Sequence, residues 1–343
     1  MLLAGLVGGL TGVFGTSLRA QVGASSAAFG LPQDVKVSAQ LTAGFARAQP
    51  QAKDFGALKF CSGIRLTSPS AQFGGWSGLV LDSDGSKLLA VSDLGNWFTA
   101  DISYDNGRMV ALKAARIGPL KSLRGEALRA KRAQDAEALA LVEGTLASGT
   151  LLIGFERQHR IGRFPVRNAE VLTPTGYLTL PAQARRLHAN QGFEALAILK
   201  AGPHQGSVVA FAERLTTGSD YHTGWIWLHG EPHSFALRDL GGFDITDAVG
   251  LPDGGLLLLE RHFRWTAGVK MRIRRLLPGE IEPGARLTGR TLLEVDSSFE
   301  IDNMEAIAAH RGQSGETILT LISDDNFSFF QRTILLQFTL LED

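Results

Sequence analysis

Several features that would narrow the function are scarce in this sequence. Its 343 residues include a single cysteine, Cys61, so an internal disulfide framework and a zinc site built from cysteines are excluded. Lysine plus arginine number 34, as do aspartate plus glutamate, so no net field attracts nucleic acid or an anionic membrane. Only three tyrosines occur, whereas 40 glycines suit tight turns between short strands. The composition is that of an ordinary globular protein.

Long apolar runs are confined to the N-terminus. Residues 1–30 are apolar and rich in small residues, like the core and cleavage region of a secretory signal peptide, although the usual positively charged start is missing. Glycines weaken this run as a membrane-spanning helix. We therefore expect export to the periplasm or the medium, with no membrane contact once the signal is removed. Residues 31–54 are polar and are expected to be an irregular linker to one domain over residues 55–343.

A polar residue before an apolar run recurs along the chain at intervals of roughly 53 to 60 residues, the length of a β-propeller blade. The aligned positions are Ser77 in GGWSGLVL, Glu137 in DAEALALV, Glu194 in GFEALAIL, Asp247 in ITDAVGLP and Glu305 in NMEAIAAH. Each unit continues with a turn and further apolar runs, so the sequence predicts an all-β propeller of five blades. The strand in FGALKFCSGIRLTS, before the first unit, is expected to close the last blade. Six blades, with one built from residues 25–55, is the alternative.

The aligned positions predict a metal site on the propeller axis. Equivalent residues at the starts of inner strands form a ring, and several carboxylates facing a narrow channel repel one another unless a proton or a cation neutralises them. Ca²⁺ suits a ring of oxygen ligands better than Mg²⁺ does. The expected ligands are Ser77, Glu137, Glu194, Asp247 and Glu305, with Thr246 as an alternative to Asp247. Alternatively, each acid binds backbone amides of the neighbouring blade and holds the blades together.

A second set of acids ends the second strand of each unit and is expected to face the same mouth of the channel. Its members are Asp93, Glu156, Glu213, Glu260 and Asp324. Arginine follows three of them, and its guanidinium group suits phosphate. The residues expected to bind substrate are Asp93, Arg157, Arg214, Arg261, His262 and Asp324, and those expected to act in catalysis are Glu137, Glu194, Arg157 and Arg261. Alternatively, each arginine pairs with a neighbouring acid. The run SDDNFSFF, residues 323–330, fits either a second cation site or an ordinary turn.

The segments FGGWSGLVLDSDGSKLLAVSDLGNW and GGLLLLERHF, with the DAEALAL and GFEALAI units, resemble the bacterial family known as "esterase-like activity of phytase" over residues 57–340. The resemblance implies an exported propeller that hydrolyses esters or phosphate esters. The predicted ring is also similar to that of the calcium-activated nucleotidases, in which a hydroxyl would stand where this chain has Asp247.

Together these features predict a monomeric, Ca²⁺-dependent phosphoesterase that acts on a small phosphorylated molecule or ester. The alternative is a non-catalytic propeller that binds a ligand or partner and uses the metal to hold its fold. A serine esterase is disfavoured because Ser77 in GGWSGL begins an inner strand and does not lie in a strand-to-helix turn.

Overall fold

The computed structural model describes residues 30–187, 192–212, 220–264 and 268–341. The signal-peptide-like segment therefore lies almost wholly outside the described residues. Two short helices, α1 (Lys131–Gln134) and a 3₁₀ turn (Ala182–Arg186), are the described helical elements, and no helix in these ranges is long and apolar enough to cross a bilayer. All other regular structure in these ranges is β.

The strands are numbered in chain order. The first thirteen are β1 (Gln33–Asp34), β2 (Ser38–Leu41), β3 (Asp54–Phe55), β4 (Leu58–Thr67), β5 (Trp76–Leu81), β6 (Lys87–Ser92), β7 (Asn96–Asp105), β8 (Arg108–Pro119), β9 (Ala136–Gly144), β10 (Ser148–Phe155), β11 (Arg160–Arg167), β12 (Glu170–Val171) and β13 (Gly176–Tyr177). The remaining strands are β14 (Phe193–Ile198), β15 (Val208–Ala212), β16 (Tyr221–Leu228), β17 (Glu231–Arg238), β18 (Asp244–Gly250), β19 (Leu256–Arg264), β20 (Gly268–Leu276), β21 (Arg286–Leu287), β22 (Arg290–Asp296), β23 (Asn303–Arg311), β24 (Thr317–Asp324) and β25 (Thr333–Leu340).

These strands form five sheets, and each sheet is one blade of a propeller. From the innermost strand outward, the blades are β5-β6-β7-β8-β1, β9-β10-β11-β12, β14-β15-β16-β17-β21, β18-β19-β20-β22 and β23-β24-β25-β4-β2. Each innermost strand contacts the innermost strands of the two neighbouring blades, so the five surround one axis. The five-bladed prediction is confirmed, and the six-bladed alternative is wrong.

The closing strand is also where the sequence predicts it. Strand β4 lies antiparallel to β25 in blade 5, with Ile64 opposite Leu335. The segment expected to be an irregular linker supplies β1 to the outer edge of blade 1 and β2 to that of blade 5. The N-terminal chain therefore covers exposed sheet edges as well as closing the ring.

Among the described residues, the apolar core forms five clusters, one between each pair of neighbouring blades. An inner strand packs against a blade on each face, so its side chains are apolar without alternation. In β5, for example, every residue from Trp76 to Leu81 is buried. The same environment makes EALALV a strand (β9), although alanine, leucine and glutamate favour helices in isolation. Burial between two sheets outweighs that local preference.

Candidate metal site at the channel mouth

One extra residue interrupts the pairing at the start of every inner strand. In blade 2, Ala136 pairs with Phe155 and Ala138 pairs with Gly154, so Glu137 lies between them as a β-bulge. The other four blades show the same shift. The extra residues, in blade order, are Ser77, Glu137, Glu194, Thr246 and Glu305. A bulge re-aims its extra side chain, and these five residues occupy equivalent positions at the starts of the inner strands.

The register corrects the alignment in blade 4, where Thr246 and not Asp247 holds the bulge. Asp247 pairs with Leu259 and is fully buried. Its Oδ1 accepts a hydrogen bond from the N–H of Ala248 at 2.8 Å, and its Oδ2 accepts one from that of Ile307 at 2.9 Å. The N–H of Leu196 also donates to this carboxyl group. Burial raises the pKa of Asp247 well above its usual range. Asp247 therefore links the inner strands of blades 3, 4 and 5, as the interblade alternative expects.

Thr246 supplies a hydroxyl at the fourth ring position, the kind of group that the nucleotidase resemblance implies there. Its Oγ1 lies 3.2 Å from the carbonyl oxygen of Met304 and 3.4 Å from that of Leu259, and the side chain is buried. A hydroxyl has one proton to donate, and these carbonyls accept it. Blade 4 thus presents no carboxylate at the ring.

Blade 2 contains the tightest group of acids found in the described part of the chain. Oxygens of Asp135, Glu137 and Glu156 all lie within 4.8 Å of one another. The hydroxyl of Ser77 hydrogen-bonds to Glu137, which joins blade 1 to this group. Removal from bulk water, followed by the charge of Glu156, raises the pKa of Glu137 well above its usual range. The group therefore favours either a bound proton or a cation.

Glu194 joins the group from blade 3. Its carboxyl group hydrogen-bonds to that of Glu156, and such a contact requires a proton on one of the two. The N–H of Gly192 donates to Glu156 at 3.0 Å and to Glu194 at 3.2 Å. Burial raises the pKa of Glu156, whereas these hydrogen bonds lower it. The structure thus brings the predicted ring residues of blades 1, 2 and 3 together through Glu156.

Two cationic side chains neutralise part of this charge. Lys131 lies 2.7 Å from Asp93 and 2.6 Å from Asp135, and Arg157 binds Asp135 through its Nε. The other oxygen of Asp93, Oδ1, is buried without a hydrogen-bond partner. Burial raises the pKa of Asp93, and the charge of Asp135 adds to that effect. The carboxyl groups outnumber the cationic groups, all the candidate ligands are oxygen atoms, and one buried oxygen lacks a partner, so the residues fit a hard divalent cation.

The blade 5 side of the mouth is neutralised differently. Glu305 lies 2.7 Å from Arg261, and the side-chain amide of Asn303 donates to it at 2.6 Å. Burial raises the pKa of Glu305 and Arg261 opposes the shift. Burial, then the charge of Glu305, raises the pKa of Asp324 to about 8, although the N–H of Asn326 donates to it. Asp324 therefore keeps its proton to a higher pH than an ordinary aspartate does.

The second set of predicted acids also needs a correction in blade 4. In blade 5, Asp324 pairs with Asn303, two residues before the bulge. In blade 4 the pair two residues before the bulge is Arg261 with Asp244, so Arg261 is the blade 4 residue equivalent to Asp324. Glu260 comes one residue earlier and is buried beside Arg274 and Arg272. The alignment predicted from the acids is therefore wrong by one residue in both β18 and β19 of blade 4.

The remaining predicted residues are accounted for as follows. His262 accepts a hydrogen bond from Arg264 at 3.1 Å and packs on Phe243, and burial lowers its pKa. Arg214, like Glu213, lies outside the described residues. Sequence reasoning did not predict Asp135 or Lys131 as site residues. Asp135 could have been found from its position two residues before Glu137.

Comparison with known proteins gives one finding. Residues 71–327 match the family model described as phytase-like, esterase-like activity of phytase. No curated protein matches the chain.

Proposed function

We propose that this chain, which belongs to the phytase-like family, is a hydrolase of phosphate esters that requires a divalent cation at the channel mouth. The family supports the class of reaction. The observation that carries the cation is the group formed by Asp135, Glu137 and Glu156, whose oxygens lie within 4.8 Å of one another. The acids exceed the nearby cations, so binding a cation offsets a repulsion that is built into the folded protein.

Ca²⁺ is the proposed ion, because it accepts several carboxylate and hydroxyl ligands in an irregular arrangement. The residues that would hold it are Asp135, Glu137, Glu156 and Ser77, with Glu194 beside them. Asp247 is not proposed as a ligand, because backbone N–H groups occupy both of its oxygens. When bound, the cation would neutralise the charge of a substrate phosphate.

The protein's own side chains have separate roles in this proposal. Arg157 binds Asp135 through Nε and its side chain is 36% exposed, so its terminal nitrogens are left for a phosphate oxygen. Glu194, which is hydrogen-bonded to Glu156, would orient the attacking water. Asp324, with a pKa of about 8, would hold a proton that can pass to the leaving alcohol.

The test combines metal analysis with phosphate release. We expect the purified protein to carry Ca²⁺ and to release phosphate from an aryl phosphate, and we expect a chelator to abolish release. Glu137→Gln should lower kcat/KM by about 100-fold, whereas Glu143→Gln, at an exposed position of the same strand, should retain activity. If the wild type still releases phosphate in chelator, and the Glu137→Gln variant is as active as the wild type, the proposal is refuted. Ca²⁺-dependent stability without any turnover would instead favour the non-catalytic propeller.

Export and a monomeric state are also proposed. The composition of residues 1–30 supports export, and mass spectrometry of the mature N-terminus after secretion would test it. An intact N-terminus in protein retained by the cell would contradict export. Light scattering of the purified protein would test the monomer.

A further inference from the structure

The loop between β24 and β25 presents aromatic rings to solvent. Phe329 is 102% exposed and Phe330 is 96% exposed, and Phe327 is 45% exposed. Single exposed apolar residues are common, but two consecutive phenylalanines in the open at one loop tip bury no surface in this fold. Folding therefore gains nothing from these two rings.

The loop is nevertheless held in place. Asp325 accepts hydrogen bonds from the N–H of Phe327 at 3.1 Å and the hydroxyl of Thr333 at 3.1 Å. The N–H of Ser328 donates to the carbonyl oxygen of Asp325 at 2.7 Å. Asn326 and Phe327 both adopt left-handed backbone conformations, with φ of 46° and 51°. Such φ values are uncommon for phenylalanine, so these contacts maintain a specific shape at some cost.

That shape places the loop against the candidate metal site. The N–H of Gly75 donates to Asp325 at 3.4 Å. A Cβ added at Gly75 would lie 2.8 Å from Cε2 of Phe327 and would also collide with the carboxyl group of Asp93. The ring of Phe327 and the carboxyl group of Asp93 therefore both pack against Gly75, two residues before Ser77. The ring of Phe327 is thus placed beside the mouth, and Phe329 and Phe330 follow it in the same loop.

We infer that this loop determines substrate specificity by binding the alcohol portion of the phosphate ester, and that the preferred substrates are phosphate monoesters whose alcohol carries a planar aromatic or heteroaromatic ring. This inference rests on the proposed function. A ring stacked on phenylalanine gains contact area and favourable aromatic geometry, whereas a polyol would leave hydroxyls unbonded against an apolar wall. Insertion of the loop into a membrane is less favoured, because the acid-rich mouth beside it would be repelled by anionic lipid.

Binding tests this inference without requiring turnover. Calorimetry in Ca²⁺ would compare 1-naphthylphosphonate, which cannot be hydrolysed, with methylphosphonate. The wild type should bind the naphthyl compound at least about tenfold more tightly, and F329S/F330S should lose about three- to tenfold of that affinity while binding methylphosphonate unchanged. Leu31→Ser, which removes an exposed apolar side chain two residues before β1, should behave as wild type. Equal affinity for both compounds, or naphthyl binding unchanged in F329S/F330S, would overturn the inference.

Kinetics and vesicles separate this inference from the proposed function and from a membrane role. With naphthyl phosphate as substrate, F329S/F330S should raise KM and leave kcat nearly unchanged, and with glycerol 2-phosphate it should change neither. Failure to release phosphate from any ester would refute the proposed function, while the phosphonate comparison still decides this inference. If phosphatidylcholine vesicles co-sediment with wild type but not with F329S/F330S, the loop is a membrane contact and the inference is overturned.

Discussion

Blades 2 and 4 have the same register at the channel mouth but opposite chemistry. Blade 2 places Glu137 at the bulge and Glu156 directly after its second strand, whereas blade 4 has Thr246 and Arg261 at the equivalent positions. The repeat therefore fixes where side chains lie and leaves their charge free to differ. The mouth has an acidic side suited to a cation, and another side where an arginine already balances the nearest acid. The predictions below test that division.

The largest expected effect is on stability and concerns Asp247, the acid of blade 4 that lies one residue after the bulge. Asp247→Ala would leave up to three buried N–H groups without acceptors, at about 1–3 kcal/mol each. We expect a loss of at least about 3 kcal/mol in the free energy of unfolding, or failure to fold, measured by urea denaturation. Glu231→Ala, at an exposed strand end, is the control and should change stability little. A fully stable Asp247→Ala protein would mean that this acid does not hold the blades together.

The second prediction concerns stabilisation by Ca²⁺. At a concentration 100 times Kd, a bound ion should stabilise the wild type by about 2.7 kcal/mol. Glu137→Gln should lose this increment and should be no less stable than wild type in chelator, because a carboxyl group in a repulsive cluster becomes neutral. Thr246→Val should keep the increment. Thermal denaturation with Ca²⁺ and with chelator would measure the stabilisation of each variant. If Glu137→Gln and Thr246→Val lose the same amount of Ca²⁺-dependent stabilisation, blades 2 and 4 do not differ in cation binding.

The third prediction is a pH dependence that comes from Asp324, between the two sides. Its folded pKa, about 8, exceeds its ordinary value, so its contribution to stability is complete below about pH 4 and is lost as pH rises toward 8. In chelator, the Tm of the wild type should therefore fall by a few degrees relative to Asp324→Asn between pH 5 and pH 8. Added Ca²⁺ should reduce the fall, since a cation favours the ionised form. Parallel Tm curves for the two proteins would contradict the raised pKa.

The sequence predicts the repeat well and blade 4 poorly, for a physical reason. Spacing and apolar runs identify all five inner strands and the closing strand, because burial between neighbouring sheets dictates both. Matching acid to acid then places Asp247 and Glu260 in the two predicted sets, although their carboxyl groups serve backbone amides and arginines within the fold. Local sequence does not reveal a one-residue bulge, so it cannot distinguish Thr246 from Asp247. Hydrogen-bond register decides between them.

The sequence predicts that acids gather at the mouth, but it does not predict all of the residues that take part. Glu137 and Glu194 follow from the repeat. Asp135 and Lys131 do not, because Asp135 lies between α1 and β9 and Lys131 lies in α1, outside the repeated pattern. Their proximity depends on how the chain enters blade 2. The role of SDDNFSFF is likewise set by the contact of Asp325 with Gly75, which is 250 residues away in sequence.

The smallest expected effect tests whether Arg261 acts in blade 4 as a cation would act in blade 2. Arg261→Gln removes a positive charge from the mouth, and with it the repulsion that this charge exerts on a bound cation. Ca²⁺ affinity should rise by about two- to fivefold, which corresponds to a partly exposed ion pair of less than about 1 kcal/mol. Arg261→Lys keeps the charge and should leave the affinity close to wild type, as titration calorimetry would show. Weaker Ca²⁺ binding by Arg261→Gln would mean that Arg261 positions the site and does not compete with the ion.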